Sequence, residues 1–101
     1  MNLDHLRTLV SVVELGSLSA AARARRISQP AVTKQLQRME ADLGLALLLR
    51  GPRRQIELTP AGERVVAFAR RILGDYEALE SDLARLKSVR RGRLSLAAST
   101  I

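Results

Sequence analysis

The side chains best suited to chemistry lie in one stretch, residues 28–44, with the sequence SQPAVTKQLQRMEADLG. Ala31, Thr33, Lys34, Gln37 and Arg38 share one side of the helix this stretch predicts. They are short or hydrogen-bonding, and two are cationic. Such a face suits a DNA groove, where short residues allow close approach and long ones reach base edges or phosphates. The opposite side carries Val32, Leu36, Met39 and Leu43 at helical intervals of four, three and four. Ser28 is placed to cap the helix, Pro30 falls in the first turn, where a missing N–H costs little, and Gly44 stands where a left-handed residue ends it. Taken alone, the stretch is more often the pattern of an ordinary amphipathic surface helix, so its neighbours decide.

Upstream, Asn2 caps a first helix with an apolar stripe of Leu6, Leu9, Val10 and Val13, ended by Gly16. Ser17 caps a short second helix over residues 18–25. Ala20, Ala21, Ala22 and Ala24 make it thin, which lets a neighbour pack close. Three helices in 43 residues, with a tight turn between the second and third, make a helix-turn-helix. Downstream, the apolar run 45–50 and the alternating Gln55, Ile56, Glu57 and Leu58 predict two short strands. They flank a turn at Gly51 and Pro52 that carries Arg53 and Arg54. A hairpin with a cationic tip directly after a reading helix is a wing.

Thr59 and Pro60 restart helix, with Glu63 near its positive end. From there Val65, Ala69, Ile72, Tyr76, Leu79, Leu83 and Leu86 alternate steps of four and three, a heptad seam. Val66, Phe68 and Leu73 widen the apolar stripe in the first half only. The first half is therefore expected to pack on its own domain and on a partner, the second half mainly on a partner. Arg90, Arg91 and Gly92 are expected to break this helix. Leu94, Leu96 and Ala98 then alternate with small or polar residues, as in a strand.

Composition agrees with a polyanionic partner. Seventeen Lys and Arg against 10 Asp and Glu give a net charge of +7, which favours nucleic acid or an anionic membrane. Fifteen of the 17 cations are Arg, which forks onto guanine or phosphate as Lys cannot. With only Phe68 and Tyr76 as aromatics, a base-stacking single-strand site is disfavoured. There is no cysteine, no metal-ligand spacing and no phosphate-binding glycine loop. His5, the single histidine, has no serine partner marked for it. No enzyme activity, metal or cofactor is expected. Neither a signal pattern nor an 18-residue apolar run occurs in the sequence, so a cytoplasmic protein without membrane association is expected.

With these parts in order, the chain resembles the N-terminal region of LysR-type transcriptional regulators. The resemblance rests on LDHLRTLVSVVELGS at residues 3–17, Ala21 and Ala22, SQPAVT at 28–33, Leu36, Met39 and Glu40, Leu43 and Gly44, LLLR at 47–50, and LTPAG at 58–62. It implies a mostly α fold: a winged helix-turn-helix of three helices and a two-stranded β wing, then a long linker helix that pairs with a second subunit. The implied divisions are residues 1–59 for DNA binding, 60–89 for the dimerisation helix, and 90–101 for the start of a truncated effector domain. The chain is expected to be a fragment cut after the linker, so a small-molecule inducer is expected only in a full-length protein. Ser99 and Thr100 match a pair that often lines the family's inducer cleft, but no ligand is assigned to them.

The family's DNA contacts map onto Ser28, Gln29, Pro30 and Ala31 at the start of the recognition helix. Thr33 and Lys34 would face the major groove, and Gln37 and Arg38 lie one turn on. Arg50 and Arg53 match wing arginines, with Arg54 sharing their role in the minor groove. Leu9, Leu18 and Leu48 stand where the family often has Phe, and Arg25 where a buried Leu is usual. The stem of Arg25 is expected to pack while its head reaches solvent, a carboxylate or a phosphate. The reading is thus a homodimer, paired through the linker helix, on an inverted-repeat double-stranded operator. The alternative is an interaction module whose long helix pairs with a different protein.

Overall fold

Capping side chains set where each of the first three helices begins. The computed structural model describes residues 1–51 and 55–100, and the side chains of 1–51 and 55–90. Helix α1 (Leu3–Leu15) starts at Asn2, whose Oδ1 accepts the His5 N–H at 2.9 Å. Helix α2 (Leu18–Arg25) starts at Ser17, whose Oγ accepts the Ala20 N–H at 3.0 Å. Helix α3 (Gln29–Leu43) starts at Ser28, whose Oγ accepts the Ala31 N–H at 3.1 Å. Each cap contributes about 1 kcal/mol. Gly16 and Gly44 close α1 and α3 in the left-handed region, with φ of 76° and 70°. Arg26 does the same for α2 at φ 58°, while the Ile27 N–H reaches back to the Ala22 carbonyl at 3.0 Å.

Strands β1 (Leu48–Arg50) and β2 (Ile56–Leu58) pair antiparallel, Leu48 opposite Leu58 and Arg50 opposite Ile56. Helix α4 follows at once, Pro60–Thr100. Thr59 anchors its start: the hydroxyl accepts the Gly62 N–H at 2.9 Å and donates to the Ala46 carbonyl at 2.6 Å.

The core gathers Leu6, Leu9 and Val12 of α1, Ala21 and Ala22 of α2, Val32, Leu36 and Met39 of α3, then Leu47 and, from α4, Val66 and Ala69. Helix α1 packs against α2, α3 and α4. Its buried face is therefore broader than a single stripe: Val12 is fully buried, and the expected Val10 and Val13 are only partly so. Thr8 is buried as well, its hydroxyl donating to Gln35 Oε1 at 2.5 Å. Leu43 departs from the expected α3 stripe and is exposed, because the chain turns away at Gly44 before another element covers it.

The C-terminal expectation is corrected. Residues 92–100 form no strand; α4 runs through Arg90, Arg91 and Gly92 to Thr100. A strand needs a partner for its backbone hydrogen bonds. No described residue supplies one, whereas a helix meets those bonds locally, at about 1 kcal/mol for its interior glycine. Ile101 lies outside the described residues.

Candidate nucleic-acid interface

Burying Val32, Leu36 and Met39 turns the other side of α3 outward. Gln29, Pro30, Thr33, Lys34 and Gln37 line one shallow groove along it. Ser28, Gln29, Pro30, Lys34, Gln37 and Arg38 are exposed, while Ala31 and Thr33 are half-buried at the base of that face. Ser28 is committed to its cap. The side-chain carbonyl of Gln29 accepts the Ser19 hydroxyl at 2.9 Å, which holds the amide at the α2–α3 junction.

The wing flanks this face. Arg50, at the end of β1, is exposed and borders a groove with Thr33 and Gln37 of α3. It borders a second groove with Ser17, Ser19 and Gln29. The structure thus brings Arg50 beside the recognition-helix residues. Arg53 and Arg54 lie outside the described residues.

Two anchors that sequence reasoning missed fix the wing to α3 and α4. The Glu40 carboxylate accepts the Leu47 N–H at 2.7 Å, tying the end of α3 to the approach to β1. Gly62 sits so close to the Leu47 carbonyl that a Cβ there would overlap its oxygen. The Thr59 N–H also donates to that carbonyl at 3.0 Å. Nothing in local spacing marks Glu40. The LTPAG string contains Gly62 but not its reason.

Arg25 is placed as its chemistry requires. The guanidinium reaches Asp4 of α1 at 3.5 Å, and Asp4 also meets Arg7 at 3.5 Å. The Arg25 Nε is buried without a hydrogen-bond partner among the described residues. The Arg7 guanidinium in turn lies 5.5 Å from the Tyr76 ring centre of α4.

The exposed face keeps its positive charge among the described residues. Among the described residues, no carboxylate lies within 4.0 Å of Lys34, Arg38 or Arg50. The nearby acid Asp42 is held below its ordinary pKa, first by a hydrogen bond from the N-terminal ammonium at 3.0 Å and then by its charge, with smaller help from Arg38 and His5. Among the described residues no group of three or more His, Cys, Asp or Glu could hold a metal ion. No helix there is long and apolar enough to cross a membrane.

Comparison with known proteins decides the family. The model of the bacterial regulatory helix-turn-helix protein, lysR family, matches residues 3–63. The chain belongs to the lysR family. PtxR of Pseudomonas aeruginosa, an HTH-type transcriptional regulator, is 42% identical over 98 residues, covering 97% of this chain and 31% of PtxR. This lysR-family chain therefore spans about a third of the length of that curated relative. The crystal structure of the BenM DBD with catB site 1 DNA is similar at a TM-score of 0.81 and 38% identity, over 87% of this chain and 98% of that one. The CbnR DBD–DNA complex is similar at 0.74 and 41%, over 87% and 99%. These lysR-family likenesses cover the winged helix-turn-helix together with much of α4.

Along α4 the seven seam residues divide. Ala69 is fully buried in the core of its own lysR-family domain, with Val65 and Ile72 partly buried beside it. Tyr76 marks the edge. Beyond it Leu79, Leu83 and Leu86 are 52%, 50% and 63% exposed on one side of the helix, and Val89 is exposed as well.

Proposed function

We propose that the chain is the DNA-binding part of a dimeric, cytoplasmic regulator of transcription, specific for double-stranded DNA. The carrying observation is the groove-lining row Gln29, Pro30, Thr33, Lys34 and Gln37, exposed or half-buried beside the exposed Arg50. A helix of about 10–12 Å diameter fits a major groove of about 12 Å. Thr33 and Lys34 would meet base edges there, with the Thr33 methyl suited to thymine. Ser28, Gln29, Pro30 and Ala31 approach the backbone and bases, and Gln37 and Arg38 act one turn further on. Arg50, with Arg53 and Arg54, supplies the wing's contacts in the adjacent minor groove. The complexes of the BenM and CbnR DBDs with DNA support this reading.

Dimerisation is assigned to α4. Val65, Ala69, Ile72 and Tyr76 set the helix on its domain, and Leu79, Leu83 and Leu86 present an apolar edge that a second copy covers. Two-fold symmetry then requires an inverted-repeat operator. The working divisions are residues 1–59 for DNA binding, 60–89 for dimerisation and 90–101 for the approach to an effector domain. Any small-molecule inducer belongs to the full-length protein. Selection of bound duplexes from a random pool tests the proposal. An inverted-repeat consensus supports it; a pool that stays random through successive rounds overturns it.

A further inference from the structure

The start of α1 and the flank of α3 enclose an open cavity of about 530 Å³. Lys34 and Arg38 line it from α3, His5 from α1 and Asn2 from the cap of α1. Its one carboxylate, Asp42, already accepts the N-terminal ammonium at 3.0 Å. The remaining lining is rich in donors and carries net positive charge. His5 Nδ1 is buried with no hydrogen-bond partner among the described residues. The nitrogen the ring can offer to an occupant is therefore Nε2. Lys34 lines both this cavity and the groove beside Thr33 and Gln37. The cavity is thus the next space along from the face assigned above to the major groove.

A helix that fills a major groove brings its two flanks up against the two sugar–phosphate backbones. One flank of α3 has Ser17, Ser19 and Arg50 beside it. The other has this cavity. We infer that the cavity between α1 and α3 is a seat for one phosphate of the DNA backbone, held by Arg38 and the imidazole of His5, with Lys34 at the boundary between this seat and the groove. This assigns α1, which lies outside the helix-turn-helix pair, a direct part in binding. The inference rests on the DNA-binding reading and adds a contact to it. The chemistry at the seat is that of a phosphate group, so free inorganic phosphate is the competing source.

Affinity for a selected duplex and for a random duplex is measured by fluorescence anisotropy across a salt series, for the wild type, His5→Gln and Arg38→Met. A phosphate contact carries no sequence information. Both variants should therefore weaken the two duplexes by the same factor, about three- to tenfold for His5→Gln. Arg38→Met should also lower the salt slope by about one. Single methylphosphonate substitutions along the selected duplex locate the contact: one position should weaken the wild type and leave Arg38→Met almost unaffected. Thermal melts of both variants separate loss of contact from loss of fold. Unchanged affinities in folded variants overturn the inference while leaving DNA binding intact. So does an Arg38→Met effect confined to one base pair. If inorganic phosphate shifts the His5 ring resonances while both variants bind duplex like the wild type, the seat takes free anion and the inference fails. Loss of all duplex binding by the wild type overturns both this inference and the function it rests on.

Discussion

Replacing Gly62 with Ala should damage the protein far more than replacing Gly74 with Ala, although both lie in α4. At Gly62 the new Cβ would overlap the carbonyl oxygen of Leu47, and it would come within 3.0 Å of the Leu47 carbonyl carbon and of Leu58 Cδ2. The obstacle is backbone, so it cannot rotate aside. Moving Leu47 would strain its hydrogen bond from the Thr59 N–H at 3.0 Å and the Glu40 contact at 2.7 Å. Overpacking of this kind costs about 1–3 kcal/mol, and a weakened hydrogen bond adds about 1 kcal/mol. The sum is roughly 2–4 kcal/mol, which for a domain of this size lowers Tm by about 10–25 °C. At Gly74 nothing lies within 4 Å of the added Cβ and the residue is exposed, so Ala should gain about 1 kcal/mol of helix propensity. Thermal unfolding followed by circular dichroism, at one fixed protomer concentration, measures both. If Gly62→Ala melts within about 2 °C of the wild type, the close approach of α4 to Leu47 is wrong and the placement of the wing must be redrawn.

Arg25→Leu should be neutral or stabilising by up to about 1 kcal/mol, since it removes a guanidinium with a buried, unpartnered Nε and a long contact to Asp4; denaturant unfolding reports it. Leu83→Glu places a charge on the half-exposed edge of α4 and should weaken self-association by about 2 kcal/mol or more, over tenfold, by sedimentation equilibrium, with little change in the fold of residues 1–59. Asp42→Asn tests the ion pair at the N-terminus. Because the folded state lowers the pKa of Asp42, its contribution is present above the ordinary carboxylate value of 3.8 and is lost as pH falls through the lowered one. The stability gap between wild type and Asp42→Asn should therefore close on acidification; a gap that widens at low pH would contradict the pairing.

Features set by adjacent residues were legible in the sequence. Asn2, Ser17 and Ser28 cap as expected because a cap joins groups about three residues apart. The packing of the first half of α4 on its own domain was also legible, because Val66 and Leu73 widen the stripe there; Phe68, read into the same stripe, is 39% exposed. Features joining distant segments were not. Glu40 to Leu47, Gly62 against Leu47 and Arg25 to Asp4 each depend on how elements pack, and no periodicity encodes them. Leu43 has the right spacing for the core but lies where the chain leaves it. The alternation after Gly92 failed for a related reason: apolar spacing describes a strand's two faces but cannot provide its neighbour. The outward row of α3 was readable as a pattern. Its bordering by Arg50, Ser17 and Ser19 on one flank and by α1 on the other required the fold.

The central claim is that the outward face of α3 reads base sequence. The most direct measurement is the ratio of affinities for the selected inverted-repeat duplex and for a scrambled duplex of equal length, at one salt concentration, in wild type and Thr33→Ala. The wild type should prefer the selected duplex by about a thousandfold or more. Thr33→Ala should reduce that preference by roughly five- to a hundredfold, concentrated at one base-pair position in each half-site, while nonspecific affinity stays the same. Equal affinity of the wild type for both duplexes, or a Thr33→Ala variant with undiminished preference at every position, would contradict it.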